Sequence, residues 1–345
     1  FLDVIGKYPT LSEIADITVY NPGQYTASSN IKGVEDYARR LFIARYNARG
    51  KVSFWLVKES DNEVQVKVGR KKSGKGNIVS IDRRYLKPSI RTLSGIKHLN
   101  ITKEHEYVIT DIKALNRDAW NMAGLIDEVK LNEAIKDVND AYRDKASKLI
   151  VARRARLTSP NVYWLAFYSE NPVLFTTSPF LAVKLKDHDD ALYKIAGLYL
   201  NSVITHLWIL GYFVETQGAW GTLHAETLWG KLIIPEFSRI NKEDLDYALK
   251  VFNDVSKANV QNLYKRISTS DPIQRKIDEA ALRLLGLYDW INKLDIIYNA
   301  VKCELNALQK ILNEGQKDDE RRKRRNIESD EEDEVKHIRR LDEFF

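Results

Sequence analysis

The residues best suited to do chemistry in this chain are basic side chains that are concentrated in one stretch. Between positions 67 and 97 there are ten basic residues and a single acidic one, Asp82, although the net charge of the whole chain is only +6. Such clustering favours a surface that binds a polyanion, with a solvated basic loop as the alternative. The predicted contact residues are Lys67, Arg70, Lys71, Lys72, Lys75, Arg83, Arg84, Lys87, Arg91 and Lys97. A second, smaller basic group follows at Lys148, Arg153, Arg154 and Arg156.

Other kinds of chemistry have little support in the sequence. It contains no Gly-x-x-x-x-Gly-Lys-Ser/Thr loop, no His-Glu-x-x-His pair and no Gly-x-Ser-x-Gly turn, so we expect no P-loop, zinc-protease or serine-hydrolase site. The only cysteine, Cys303, is predicted to be a buried structural thiol, and a single cysteine fits a reducing compartment. No apolar run approaches 18 residues and no signal peptide is visible, so we expect a cytoplasmic protein without a membrane partner.

Strand-like segments in the first half must position the basic stretch. Residues 51–58 are rich in β-formers, and Val64, Val66 and Val68 alternate with polar residues, which predicts a hairpin turning at 60–62. A mobile basic tip over 70–77 leads to another extended run at 78–81. A helix is predicted around 127–148, with Val129 and Tyr142 on its apolar side. Further strands are predicted at 149–152, 163–168, 173–177 and 180–185.

The last third reads as helical. One helix is predicted from about Asp190 to Leu210, one after an Asn241 cap, and one from the pair Asp271-Pro272 to Gly286. A last helix opens at Asp289. Its apolar residues follow a heptad pattern at Ile291, Leu294, Tyr298, Val301, Leu305, Leu308 and Leu312. This seam indicates either packing within the chain's own domain or a coiled-coil contact with a partner.

These elements together predict an α+β fold in which a β-rich part precedes a helical part with a long C-terminal helix. We expect a mixed, β-rich domain over 1–188, a helical domain over 189–315 and a charged tail over 316–345. The tail holds nine basic and eleven acidic residues, and is predicted to be a solvated helix or disordered. The chain begins at Phe1 and its only methionine is Met122, so we expect a piece of a longer protein.

Several segments, in this order, resemble one known family. Tyr85, Leu86, Pro88 and Arg91 match a recurrent Tyr-Leu-x-Pro-x-x-Arg segment, and the strands from Leu149 to Leu185 resemble the β-rich part that follows it. Residues 199–202, 218–221 and 228–235 resemble a helix, a glycine-rich turn and its exit, and 275–287 resembles a closing helix. Over residues 8–290 this order is similar to the C-terminal target-recognition region of N6-adenine DNA methyltransferases, including those of restriction-modification systems.

The resemblance implies partners and a cofactor outside this chain. In that family an upstream catalytic domain binds S-adenosylmethionine and carries an Asp/Asn-Pro-Pro-Tyr/Phe motif. This sequence has no Pro-Pro dipeptide and no Phe-x-Gly-x-Gly turn, so no catalytic or cofactor-binding residue is carried over. The implied partners are double-stranded DNA, held by the two basic groups, and the catalytic domain. Two alternatives stay open: a stand-alone nucleic-acid-binding protein, and a helical assembly subunit that binds no nucleic acid.

Overall fold

The fold is given by a computed structural model that describes residues 7–27, 31–46, 52–69, 77–175, 179–212, 214–216, 220–311 and 313. Its strands are β1 (Ala15–Thr18), β2 (Phe42–Ala44), β3 (Phe54–Glu59), β4 (Glu63–Val68), β5 (Ile78–Asp82), β6 (Leu86–Ile90), β7 (Glu106–Ile109), β8 (Ser147–Ala152), β9 (Arg154–Ala155), β10 (Ala166–Phe175), β11 (Phe180–Leu185), β12 (Val214–Thr216) and β13 (Trp220–Thr222). Its helices are α1 (Leu11–Ile14), α2 (Val34–Arg40), α3 (Arg117–Met122), α4 (Glu128–Lys145), α5 (Asp190–Tyr199), α6 (Val203–Tyr212), α7 (Lys242–Lys257), α8 (Leu263–Ser268), α9 (Pro272–Leu284) and α10 (294–311).

Within the described residues, ten strands form a mixed sheet in the order β1-β11-β8-β10-β6-β7-β2-β3-β4-β5. The predicted hairpin is present: β3 and β4 pair antiparallel, and Ser60 N donates to Glu63 O across the turn. Val64, Val66 and Val68 are buried, as their alternation predicts. With the helices that pack on the sheet, this confirms the α+β class.

Two predictions in the middle of the chain are wrong in detail. The sequence predicts separate strands over 163–168 and 173–177. β10 instead runs through Pro172 to Phe175, with a register shift against β8 between Tyr168 and Val173. An irregularity of this kind lets a strand bend without ending. The helix predicted around 127–148 is α4, but Val129 in its first turn is 62% exposed rather than buried.

Helices of the second half pack directly on the sheet. Gly197 of α5 lies close to Leu149 and Tyr168, and a Cβ there would sit 3.5 Å from Leu149 Cδ1 and 3.6 Å from Tyr168 Cβ. Phe252 of α7 meets the Tyr168 ring edge-on, with the ring centroids 5.3 Å apart. This packing closes the core around the centre of β8 and β10.

The helix predicted from Asp190 to Leu210 is broken into α5 and α6, which are bent by 62°. Asn201 explains the break. Its side-chain oxygen accepts from Leu165 N, and its amide donates to Ala166 O and Gly197 O. These bonds fix the chain between the helices against β10, although the apolar spacing runs through the bend. No single helix in the described ranges is long and apolar enough to cross a bilayer; only this bent pair meets the length and composition criterion, when taken together.

The final helices are fixed by their ends and by one buried seam. Asp271 caps α9 with Pro272 at its first position, and Gly286 follows the helix at a φ of +63°, as predicted. The last predicted helix begins with a 3₁₀ turn, Tyr288–Lys293, and is α-helical over 294–311.

The seam of α10 is covered by the chain's own helices. Leu294, Tyr298, Val301 and Leu305 are buried, whereas Leu312 lies outside the described residues. Tyr264 of α8 donates to Asn306 Oδ1 at 2.9 Å, and Arg275 of α9 pairs with Asp295 at 2.6 Å. Cys303 is exposed, which corrects the prediction of a buried thiol, because it faces away from this seam.

Candidate nucleic-acid interface

The β4–β5 hairpin separates residues that are neighbours in the basic stretch. Its register pairs Glu63 with Asp82 at one end and Lys67 with Ile78 at the other. Lys67 is four strand residues away from Glu63, whose partner Asp82 directly precedes Arg83. Lys67 and Arg83 are therefore separated along the strands by about 13 Å, at ~3.3 Å per residue. The predicted contacts Arg70, Lys71, Lys72 and Lys75 lie outside the described residues.

Arg83 and Arg84 are engaged with acidic side chains of the same region. Arg83 Nη2 lies 3.2 Å from a Glu59 oxygen, and Glu59 also accepts from Arg45 at 2.6 Å and from the Tyr107 hydroxyl at 2.8 Å. Burial acts to raise the pKa of Glu59, but the hydrogen bonds from Arg45 and Tyr107 hold it below its usual value. The positive charge of Arg83 is therefore partly neutralised by the Glu59 carboxylate. Arg84 makes an exposed ion pair with Asp82 at 2.9 Å.

Lys87 lies near the start of β6 and Arg91 directly follows its end, and their side chains point in different directions. Lys87 is exposed, with its amine 5.8 Å from the centroid of the Tyr142 ring. Arg91 turns inward: its Nε and Nη1 are buried and have no hydrogen-bond partner among the described residues. Burial lowers the pKa of Arg91, while the neighbouring Glu106 carboxylate opposes that shift. Of these two cations, Lys87 is the more exposed.

The other end of the basic stretch meets the second basic group. The loop 91–99 is attached to the loop 156–164, because Gly95 N donates to Asn161 O at 2.9 Å and Trp164 Nε1 donates to Lys97 O at 2.8 Å. Lys97 and Arg154 are exposed, and Arg153 and Arg156 are half-buried. We call the four cations Lys97, Arg153, Arg154 and Arg156 the Lys97–Arg154 surface. Lys148, the remaining member of the second group, instead pairs with Asp190 at 2.7 Å.

A buried arginine of the helical part holds these loops in place. Trp164 is fully buried, and the guanidinium of Arg266 lies over its ring, 4.0 Å from the centroid. Arg266 Nε donates to Gln274 at 2.7 Å, and Leu263 N of the same helix donates to Val162 O at 2.8 Å. Burial lowers the pKa of Arg266 to about 10, so it stays charged at neutral pH. The loop 156–164, and through Trp164 the loop that carries Lys97, are therefore held against α8.

A side chain that stacks on a base must expose an aromatic face. Trp164 is a core residue, and Trp55 is half-buried. Two aromatic residues that sequence reasoning missed, Trp208 and Tyr212, lie together near the outer end of α6. Their spacing of four residues in a predicted helix was the available signal. Nothing in the local sequence marked Arg266.

Comparison with known proteins finds similarity in structure but not in sequence. No family model matches the chain, and no curated protein matches it. Among solved structures, the type IIG restriction endonuclease BpuSI is similar over 83% of this chain, with 14% sequence identity and a TM-score of 0.42. This chain spans about a third of the length of that endonuclease, 32%.

Proposed function

We propose that this chain is the DNA-binding target-recognition part of a site-specific adenine-N6 DNA methyltransferase or restriction-modification enzyme. The ordered sequence resemblance over residues 8–290 supports the family. The single structural observation that supports DNA binding is the Lys97–Arg154 surface. It combines exposed cations of two segments that are distant in sequence, Lys97 and Arg154, and the loop of Lys97 is held by Trp164, which packs under Arg266.

The physical role of such a surface is to position a duplex. Lysine and arginine contacts to phosphates fix register and orientation without reading sequence. Because the loops are held by buried contacts, little conformational freedom is lost when phosphates bind. An adenine methyltransferase must extrude its target base, and a recognition part keeps the opened duplex in place meanwhile. In this proposal S-adenosylmethionine binds to a separate catalytic domain, and no residue of this chain is assigned to it.

The proposal is tested by titrating labelled duplex DNA with the full chain at several salt concentrations. We expect salt-dependent binding, and we expect the double variant Lys97→Ala/Arg154→Ala to weaken it. Removing two phosphate-binding side chains lowers the slope of log K against log salt by about 1.8, since each bound phosphate contributes about 0.9. Absence of salt-dependent DNA binding by the unaltered chain would overturn the proposal.

A matched control removes the same charge elsewhere. Lys293 and Arg239 are exposed; Lys293 lies over the Trp290 ring and Arg239 pairs with Glu236 at 3.0 Å. Lys293→Ala/Arg239→Ala changes the net charge equally but should leave the slope unchanged. An equal reduction in both double variants would indicate attraction by net charge instead of contact at the Lys97–Arg154 surface.

A further inference from the structure

Trp208 and Tyr212 form an aromatic pair at the end of α6. Their ring centroids are 4.6 Å apart and the ring planes meet at 33°. The Trp208 indole nitrogen donates to Leu228 O at 3.3 Å, which ties the pair to the turn at 225–229. Tyr212 is nevertheless 53% exposed. The pair thus combines an anchored indole with a phenol that offers much of its surface to solvent.

The small sheet that follows places this pair near an exposed cation. Val214 of β12 lies two residues after Tyr212 and pairs with Thr222 of β13, which in turn pairs with Arg154 of β9. Two strand spacings of about 4.8 Å bring the backbone of Arg154 within about 10 Å of Val214. Two further residues of chain add about 7 Å at most. The backbones of Arg154 and Tyr212 are therefore at most about 17 Å apart, which a single DNA strand spans with at most about five stacked base steps of 3.4 Å each.

We infer that Trp208 and Tyr212 form a stacking site for an unpaired nucleobase, while Arg154 contacts a phosphate of the same strand. This inference rests on the proposed function and deepens it. Every base has a flat π face, so stacking on aromatic side chains tolerates any sequence. A base inside an intact duplex is already stacked on its neighbours and has no free face. The ligand is therefore a base released from pairing, in an opened duplex or a single strand.

The positive charge of the arginines in the segment that pairs with β13 favours a nucleotide over an apolar protein surface as the ligand of the Trp208–Tyr212 pair. Arg153, Arg154 and Arg156 all belong to the segment that adjoins β13, and Arg154 is exposed there. A hydrophobic protein partner gains nothing from an exposed guanidinium along its path, whereas a phosphate of the strand whose base is stacked does. Guanidinium groups together with aromatic rings are the combination that single-strand binding surfaces use.

The test compares three residues at position 212 in the full chain. Tyr212→Phe keeps the ring, whereas Tyr212→Leu keeps apolar surface but removes the π face. The probe is a short DNA with 2-aminopurine, either single-stranded or at a mismatched position of a duplex. We expect the unaltered chain and Tyr212→Phe to quench the 2-aminopurine fluorescence on binding. We expect Tyr212→Leu to lose the quenching and to bind these probes at least about fivefold more weakly.

A fully paired duplex and the melting temperature serve as controls. Affinity for the paired duplex should change little in Tyr212→Leu, and its melting temperature should match that of the unaltered chain, because Tyr212 is half-exposed. If Tyr212→Leu quenches and binds as the unaltered chain does, the stacking site is refuted while the proposed DNA binding stands. If the unaltered chain binds no DNA of any kind, the proposed function fails and this inference fails with it.

Discussion

His206 is a buried polar residue whose ring has no hydrogen-bond partner among the described residues. Both ring nitrogens are enclosed within α6 and its neighbours, and the side chain is 2% exposed. Burial, with a further contribution from the charge of Arg266, lowers the pKa of His206 to about 3. The imidazole is therefore neutral in the folded protein at any physiological pH, and protonation would place a second cation beside Arg266.

We expect His206→Leu to remove part of the sensitivity of the fold to acid. The folded-state pKa is depressed below the unfolded value of about 6.5, so the contribution to stability is complete above pH 6.5 and falls as the unfolded chain takes up a proton. The decrease is at most about 1.4 kcal/mol per pH unit below 6.5. Melting temperatures at pH 7.5 and pH 5 should differ less for His206→Leu than for the unaltered chain.

The exposed His188 offers a control for that experiment. His188→Leu removes an imidazole that is solvated in both states, so its melting temperatures should follow those of the unaltered chain at both pH values. Parallel behaviour of His206→Leu and His188→Leu would contradict the account of His206 as a buried neutral ring.

At the scale of elements, a buried cluster joins α10 to the rest of the helical part. Asp278 of α9 accepts from Val203 N at 2.7 Å, from Gln274 Nε2 at 2.9 Å, and from the Tyr298 hydroxyl of α10. Burial raises the pKa of Asp278 to about 6, although these hydrogen bonds oppose the shift. The bend before α6, α9 and α10 therefore share one carboxyl group, and the heptad seam closes over it.

Leu305→Asp should destabilise the chain itself, because the seam of α10 is covered from within. Leu305 is 1% exposed. Replacing it by a carboxylate removes apolar burial and encloses a charge, at a cost of about 3 kcal/mol or more. The melting temperature of the purified chain measures this effect.

Cys303→Asp is the matched control on the same helix, since Cys303 is exposed. The same new charge at that position should leave the melting temperature nearly unchanged. A Leu305→Asp chain that melts normally but loses a dimer in sedimentation would show that the seam belongs to an intermolecular contact. The alternative of a helical assembly subunit requires an exposed apolar seam on α10. Because this seam is buried by the chain's own helices, that alternative has less support.

At the scale of the whole molecule, the strands that lead to two groups of cations, the Lys97–Arg154 surface and the segment 70–76, lie far apart in the sheet. β8, which leads to Arg153 and Arg154, and β4, which leads to the segment 70–76, are separated by six strand spacings. At about 4.8 Å each, this is about 29 Å, or between eight and nine base pairs of duplex at ~3.4 Å. A duplex that touches both groups must be at least about that long.

We expect the two groups to contribute separately to DNA binding. Replacing Arg70, Lys71, Lys72 and Lys75 by alanine should lower the salt slope by about 0.9 for each phosphate that these side chains bind. On a duplex of 20 base pairs, this reduction should add to that of Lys97→Ala/Arg154→Ala. A duplex of six base pairs is too short to contact both groups at once. On that duplex the reductions in salt slope caused by the two sets of substitutions should not add. Unchanged slopes in the fourfold variant would place the DNA surface on the Lys97–Arg154 side alone.

The sequence by itself determined the features that depend on neighbouring residues. The β3–β4 hairpin, the α9 cap at Asp271-Pro272 and the stop at Gly286 follow from backbone geometry and hydrogen bonds within a few positions. The heptad seam also identified the buried side of α10 correctly. The α+β class follows from the order of such local signals.

Only the tertiary structure decided which cations face outward and which elements run on or break. Arg83 is bound by Glu59 of β3, Arg91 turns inward beside Glu106, and the loop of Lys97 is held by a hydrogen bond from Trp164. Asn201 bends a continuous apolar pattern by bonding to β10. In each case the partner residue is distant in sequence. A buried polar group needs a hydrogen-bond partner in the folded protein, and a local sequence pattern does not specify which distant residue supplies it.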